Sequence, residues 1–308
     1  MAYDGIVSIN KPAGISSFKC VSAVRRITGC KKTGHAGTLD PEATGVLPVC
    51  VGKATKCSEF FLRMGKSYRA EMLFGLSTNT MDIWGEPISE NYEDADRITE
   101  DDVLRTLELF KGEIEQIPPA FSAIKKDGVP LYKLARKGIE VKPESRKVTV
   151  YKIKLISFFR DDEKHIRAVI DVHCSKGTYI RSICNDIGEK LGIGACMSSL
   201  VRTSYGPLSL KDSVSLEEFE KAVNEGRGNM HILEIESLLE DYPRVELNNS
   251  EKEKYIQGKK VFVNKERIAS FDSQNEICVY FDGKVIAISE KEEIENKIWL
   301  KPYKFFGE

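Results

Sequence analysis

Residues 66–75, KSYRAEMLFG, alternate strictly: Tyr68, Ala70, Met72 and Phe74 fall on one face, Arg69 and Glu71 on the other. A strand with one apolar and one charged face is stable only within a sheet whose apolar side is covered. The neighbouring runs supply both partners and cover. YDGIVSINK (3–11) and TGVLPVCVGKATK (44–56) read as strands, the second meeting a helix that begins near Ala54. SSFKCVSAVRRITG (16–29) reads as a helix: Ser16 or Ser17 can cap it, Phe18, Val21, Val24 and Ile27 recur at helical spacing, and Gly29 stops it. Thr99 and Asp102 form a capping-box pattern for a helix expected to reach Gly112. Runs 148–159 and 164–177 are strongly β, and 177–192 is an amphipathic helix with Ile180, Ile183, Ile187 and Leu191 as its stripe. A helical, acidic region follows over 214–240. From Arg244 onward short β runs dominate, separated by turn signals such as Asp282-Gly283. Pattern alone therefore predicts mixed α and β, then a small all-β module, divided near Asp241-Tyr242-Pro243.

The 308 residues are 41% hydrophobic and 30% charged, which suits a chain with a substantial core. No apolar run approaches the roughly 18 residues of a membrane helix, and MAYDGIVSIN lacks the basic-then-apolar order of a signal peptide. A cytoplasmic protein without membrane contact is expected. The eight cysteines are scattered with no C-x-x-C, so reduced core cysteines are expected and no metal site. The net charge of −1 hides an asymmetry. Residues 81–117 hold twelve Asp/Glu against three Lys/Arg, whereas 120–182 hold fifteen Lys/Arg against seven Asp/Glu. The stretch 117–148 reads as an exposed, basic excursion rich in Pro and Gly. Such a distribution suits a polyanionic partner, although a solvated surface can also produce it.

Several chemistries are excluded. Around Gly52-Lys53, Leu47 and Ala54 stand where a phosphate-binding loop needs Gly and Ser/Thr. No G-x-G-x-x-G follows a strand, and no serine nucleophile elbow is present. Cofactor-free chemistry remains. HAGTLDPEATG (35–45) places Asp40 within glycines 34, 37 and 45. An Asp before Pro is most often a turn former, and Glu42 reads as a surface charge. Glycines, however, allow a bulky ligand to approach the backbone, and His35 stands beside them. Tyr68-Arg69 and Tyr179 with Arg181 add aromatic faces and cations. A nucleophilic carboxylate in a dry site needs a cationic partner, and an extruded nucleobase needs a face to stack on. Together these residues suit base-directed chemistry on RNA.

The runs NKPAGISSF, GHAGTLDPEATGVLPVCVGKATK, KSYRAEMLFGLSTNTMDIWGE, QIPPAFSAIKKDGVPLYKLARKGI and CSKGTYIRSICNDIGEKLGIGACMSSLVRT follow one another in unbroken order within residues 5–205. They resemble the TruB family, the bacterial tRNA pseudouridine-55 synthases. The resemblance implies an α+β pseudouridine synthase fold with a central, mainly antiparallel mixed sheet over 1–240, and a PUA-like β domain over 241–308. It implies isomerisation of uridine to pseudouridine at position 55 in the T arm of tRNA, by base flipping, in a monomer needing no cofactor and no obligatory protein partner. On matching positions, Asp40 corresponds to the catalytic aspartate, Tyr68 to the tyrosine stacked on the target base, and Arg181 to the arginine paired with the aspartate. Tyr179 and Leu200 correspond to substrate-contacting positions, and His35 to the histidine that engages the flipped-out loop. Lys11 and Pro12 fall in the family's first motif and are assigned to the scaffold. The excursion 117–148 resembles the insert that clamps the T arm.

Attack of Asp40 at C1′, attack at base C6 and deprotonation at C2′ remain open at this level. Two rival readings also make distinct demands. A noncatalytic RNA-binding or RNA-folding protein would not need Asp40. A carboxylate hydrolase would need a second placed carboxylate, which the sequence does not single out.

Overall fold

A computed structural model describes residues 3–126, 128–135, 137–139, 143–240, 242–268, 275–294 and 297–306. Among these residues ten strands form one sheet. Its main path runs Ile232–Leu233, Gly5–Lys11, Thr44–Val51, Ala195–Tyr205, Lys66–Phe74, Ile166–Cys174, Arg146–Arg160, Gly112–Gln116. Thr33–His35 pairs with Thr44–Val51, and Leu208–Ser209 with Ala195–Tyr205. Every pairing is antiparallel except one. Thr44–Val51 and Ala195–Tyr205 run parallel, with Val201 opposite Thr44 and Arg202 opposite Gly45. The sheet is thus the mainly antiparallel mixed sheet expected.

The strand Lys66–Phe74 sits near the middle. Tyr68, Ala70, Met72 and Phe74 are buried under Ile183 and Ile187 of the helix Ile180–Leu191 and Val103 and Leu107 of the helix Glu100–Glu108. Arg69 points the other way and forms a two-pronged ion pair with Asp171, at 2.8 Å for each prong. The strand Thr44–Val51 behaves differently, being buried along nearly its whole length. The helix Ser17–Thr28 covers Leu47 and Val49 on one face. On the other, Val46 and Cys50 pack with Phe60, Phe61 and Tyr205. Cover on both faces explains why VLPVCV reads as a continuous apolar run.

Local signals were accurate where both partners lie within one turn. Ser16 caps the first helix by accepting from the Lys19 N–H, and Gly29 ends it with φ 66°. Thr99 and Asp102 complete a capping box. That helix nevertheless stops at Glu108, because Gly112, with φ 89°, already begins an edge strand. Seven cysteines are buried and Cys30 is half-buried, all with free thiols.

The C-terminal residues form a separate five-stranded sheet in the order Arg244–Glu246, Glu276–Phe281, Lys284–Ile294, Lys297–Phe305, Val261–Val263. Asp282-Gly283 makes the expected two-residue hairpin turn, both with positive φ. The all-β reading missed one helix, Asn249–Ile256. Asn248 and Glu251 cap it reciprocally, and its Tyr255 hydroxyl lies 2.6 Å from Ser289 Oγ in the interior. Cys278, Val285, Ile288 and Phe306 join the apolar cluster of Val46, Cys50 and Tyr205, so this sheet shares a core with the larger one.

Candidate active site

The loop carrying Asp40 joins Thr33–His35 to Thr44–Val51 and is held from both sides. The Ser17 hydroxyl accepts from the Leu39 N–H at 2.9 Å and donates to the Leu39 carbonyl at 3.0 Å. Lys11, fully buried, donates to the carbonyls of Pro12, Ile15 and Pro41 at 2.8, 2.7 and 2.7 Å. A buried ammonium finds its three acceptors in backbone oxygens here, so it acts as a strut under the Asp40-Pro41 turn. Burial lowers its pKa, and the carboxylates of Glu42 and Asp40 oppose that shift. Glu42 faces solvent, while the Asp40 side chain keeps 44% of its surface open.

The glycines in and beside this loop serve a different purpose from the one read in the sequence. A Cβ on Gly45, whose φ is 100°, would overlap the Arg202 carbonyl oxygen. One on Gly37, with φ 74°, would lie 2.8 Å from the Tyr205 ring. Gly34 faces open space. Gly37 and Gly45 thus admit the neighbouring strand. The parallel junction of the sheet passes closely under the loop, and only glycine lets it do so.

Arg181, in the first turn of the helix Ile180–Leu191, is buried against this loop. Its Nε lies 3.1 Å from Asp40 Oδ2 and its Nη1 lies 3.4 Å from Asp82 Oδ2. Nη1 also donates to the Thr80 carbonyl and Nη2 to the Phe121 carbonyl, both at 3.1 Å. One guanidinium thus joins two carboxylates and two distant loops. Asp82 escaped the sequence reading, which found no second placed carboxylate. It lies in a loop bent by Met81 at φ 62° and bridged to Met197 of the central strand. The Thr80 hydroxyl donates to Asp82 Oδ1 at 2.7 Å. Burial raises the Asp82 pKa above the ordinary aspartate value, while Thr80 and Arg181 pull it down and Asp40 pushes it up. The spacing T-N-T-M-D was the only signal available, and it does not name Arg181, which is far along the chain, as the partner of Asp82.

Tyr68, Leu200 and Leu39 belong to one apolar cluster. Burial raises the Tyr68 hydroxyl pKa, and the nearby Arg202 guanidinium opposes the rise. Arg202, fully buried, donates to the Val46 carbonyl at 2.6 Å and the Gly37 carbonyl at 3.1 Å, and its Cζ lies 4.8 Å from the Tyr205 ring centroid. Lys66 Nζ sits 4.2 Å from the same centroid. Burial, then the Arg202 charge, lowers the Lys66 pKa to about 8. His35 is half-buried, with its pKa lowered by burial and then by Arg202. Its Nδ1 has no hydrogen-bond partner among the described residues. Tyr179 stands at the start of the Arg181 helix, its ring under Arg146 with Cζ 4.8 Å from the centroid. Of the residues singled out, Asp40 and Arg181 are in direct contact, and Tyr68 and Leu200 share the adjoining apolar wall. His35 adjoins Arg202 instead, and Tyr179 flanks the helix. Arg69, read as a possible cation for the site, is spent on the outer face.

A carboxylate half open to solvent, fixed by a buried guanidinium beside a buried tyrosine, is equipped for nucleophilic or base chemistry on a ligand that covers it. Among the described residues no group of three His, Cys, Asp or Glu side chains is disposed to hold a metal. The family model described as TruB family pseudouridylate synthase, N-terminal domain, matches residues 25–180. The chain belongs to the TruB family. A second model, the tRNA pseudouridylate synthase B C-terminal domain, matches residues 181–240. The junction of the two falls at the first turn of the Arg181 helix, which the structure carries without interruption. The chain is 41% identical to tRNA pseudouridine synthase B of Clostridium perfringens (strain SM101 / Type A) over 94% of its own length and 96% of the relative's. It is 44% identical to tRNA pseudouridine synthase B of Pelotomaculum thermopropionicum, over 84% and 82%. Among solved structures, a Cbf5-Nop10-Gar1 complex contains a similar chain, with TM-score 0.75 and 25% identity, covering 98% of this chain and 84% of that one. Membership of TruB makes this chain an isomerase of the pseudouridine synthase type.

Proposed function

We propose that the protein isomerises uridine to pseudouridine at position 55 in the T arm of tRNA, with Asp40 as the reacting carboxylate and no cofactor. The observation that carries this reading is the 3.1 Å ion pair between Asp40 and the buried Arg181, beside Tyr68. The reaction breaks N1–C1′, turns the uracil and joins C5 to C1′; C5 gives up its proton to solvent and N1 takes one up, so the product is an isomer. It consumes no electron, metal or external water. Attack at C1′, attack at C6 and removal of the C2′ proton all begin at an ionised Asp40 carboxylate. A flipped nucleotide would cover Asp40, stack on Tyr68 and meet Leu200 and Tyr179, while His35 would engage the loop that the nucleotide leaves.

The tRNA substrate is supported by relatives about 40% identical over nearly the whole chain, each bearing the name tRNA pseudouridine synthase B. The insert over 117–148 would grip the T arm through its basic residues. Of these, Arg136 and Lys142 lie outside the described residues, whereas Lys125 and Lys126 form half of a small hairpin and Lys133 lies on the helix Leu131–Ala135. Residues 1–240 would form the catalytic unit and 241–308 a PUA-like module, in a monomer acting in the cytoplasm. No helix among the described residues is long and apolar enough to cross a membrane.

The test is tritium release from tRNA transcript labelled at uracil C5, with wild-type and Asp40→Asn protein. Release by the wild type alone, from a T-arm position, is expected. Comparable release by Asp40→Asn would sink the assignment of Asp40. Bound tRNA with no release by either protein would favour the noncatalytic RNA-binding reading.

A further inference from the structure

The insert leaves the sheet after Gln116 and rejoins it at Arg146, and these two residues are register partners across the edge pair of strands. Both reach to one short turn, Gly177–Tyr179. Gln116 is fully buried, its Nε2 donating to the Tyr179 carbonyl at 3.0 Å and its Oε1 accepting from the Tyr179 N–H at 2.8 Å. Arg146 donates from Nη2 to the Gly177 carbonyl and covers the Tyr179 ring. Two tethers follow from the first residues of the insert. The Ile117 carbonyl accepts from Ser182 Oγ at 2.9 Å, and the Phe121 carbonyl accepts from Arg181 Nη2 at 3.1 Å.

The helix Ile180–Leu191 begins at Tyr179, whose side chain makes no capping hydrogen bond. A helix start ordinarily carries Ser, Thr, Asp or Asn, and a Glu or Gln three residues on returns to the N-cap N–H. Gln116 takes that second role from 63 residues earlier in the chain. An amide that satisfies both backbone groups of one residue fixes the peptide planes on either side of it. It therefore sets the direction of Tyr179 and, two residues on, of Arg181.

We infer that Gln116 and Arg146 are positioning residues that tie the root of the insert to the Tyr179–Arg181 segment, so that seating the insert on RNA and aligning Arg181 against Asp40 are coupled. This rests on the isomerase reading above. Neither residue touches the reacting atoms; both act through Tyr179 and Arg181.

Gln116→Glu tests the coupling, because a carboxylate keeps the acceptor for the Tyr179 N–H and turns a second acceptor against its carbonyl. Single-turnover tritium release and tRNA affinity by filter binding are measured for wild type, Asp40→Asn, Gln116→Glu and Arg146→Lys. The last keeps the charge but loses the planar face on Tyr179. The expected result is a single-turnover rate lowered about tenfold or more in Gln116→Glu, with tRNA affinity held within about threefold, since small misplacement of a catalytic group costs rate before binding. The deficit should shrink at low pH, where protonation of the introduced carboxyl restores a donor. A loss of stability alone would not produce that recovery. Arg146→Lys should show the same split and, should Gln116→Glu fail to fold, decides the matter alone. A rate within about twofold of wild type, or a loss confined to affinity, overturns the inference. An inactive wild type would instead overturn the isomerase reading and the inference with it.

Discussion

Asp40 and Asp82 share a single guanidinium: Arg181 reaches the first through Nε at 3.1 Å and the second through Nη1 at 3.4 Å. The two carboxylates differ in exposure, since the Asp40 side chain is 44% open and that of Asp82 only 12%. The open one can meet a substrate, and the buried one holds the arginine.

Arg181→Lys should therefore be a poor replacement. An ammonium cannot span two carboxylates and two carbonyls from one rigid fork, so turnover should fall by about 10²–10³. Single-turnover tritium release checks this. Binding of tRNA should be nearly unchanged, because the guanidinium is buried.

Asp82→Asn separates charge from shape, since the amide oxygen can still accept from Thr80. Turnover should fall at least about tenfold as Arg181 loses one partner. The pH dependence has a definite sign. Burial raises the Asp82 pKa, so this carboxyl takes up its proton at a higher pH than an exposed aspartate as the solution is acidified. A group with a raised folded pKa binds more protons when folded, so that protonation favours the folded state, unlike that of an ordinary salt-bridged carboxylate. The acid limb of the normalised rate profile should therefore begin at higher pH in wild type than in Asp82→Asn. Coincident limbs would show that Asp82 does not titrate with activity.

Lys66 is buried beside Arg202, with its pKa lowered from 10.5 to about 8. Below about 8 it is charged in both states, and the folded protein carries the full cost of that buried charge. Between about 8 and 10.5 the unfolded chain binds more protons, so rising pH relieves the cost. Lys66→Met should stabilise the protein at pH 7 by roughly 1–3 kcal/mol. Urea midpoints at pH 7 and near pH 10 should show this advantage shrinking at the higher pH. A constant difference would contradict the assignment.

Gly45→Ala and Gly34→Ala should differ sharply although the two glycines flank one loop, on the strands that it joins. The first combines φ 100° with overlap of the Arg202 carbonyl, and should destabilise by about 3 kcal/mol or more. The second meets nothing within 4 Å and should fall within about 0.5 kcal/mol of wild type. Paired thermal melts measure both.

What the residues announce by themselves is short in range. The cap at Ser16, the box at Thr99 and Asp102, and the alternation from Tyr68 to Phe74 each need only neighbours in the chain, and each is found in the structure. The resemblance of residues 5–205 to TruB named the family and the residues to inspect. Three features needed the fold. Asp82 meets Arg181 only because its loop bridges Met197 on the central strand, which brings T-N-T-M-D over the helix start. Gly37 and Gly45 looked like room for a ligand, but the parallel junction with Arg202 and Tyr205 fills that room. Gln116 gave no local signal, since its amide serves a backbone 63 residues away. A side chain's own periodicity reveals which way it points relative to its neighbours. Which distant group it meets is decided by strand register and crossing, and those are settled only when the whole sheet closes.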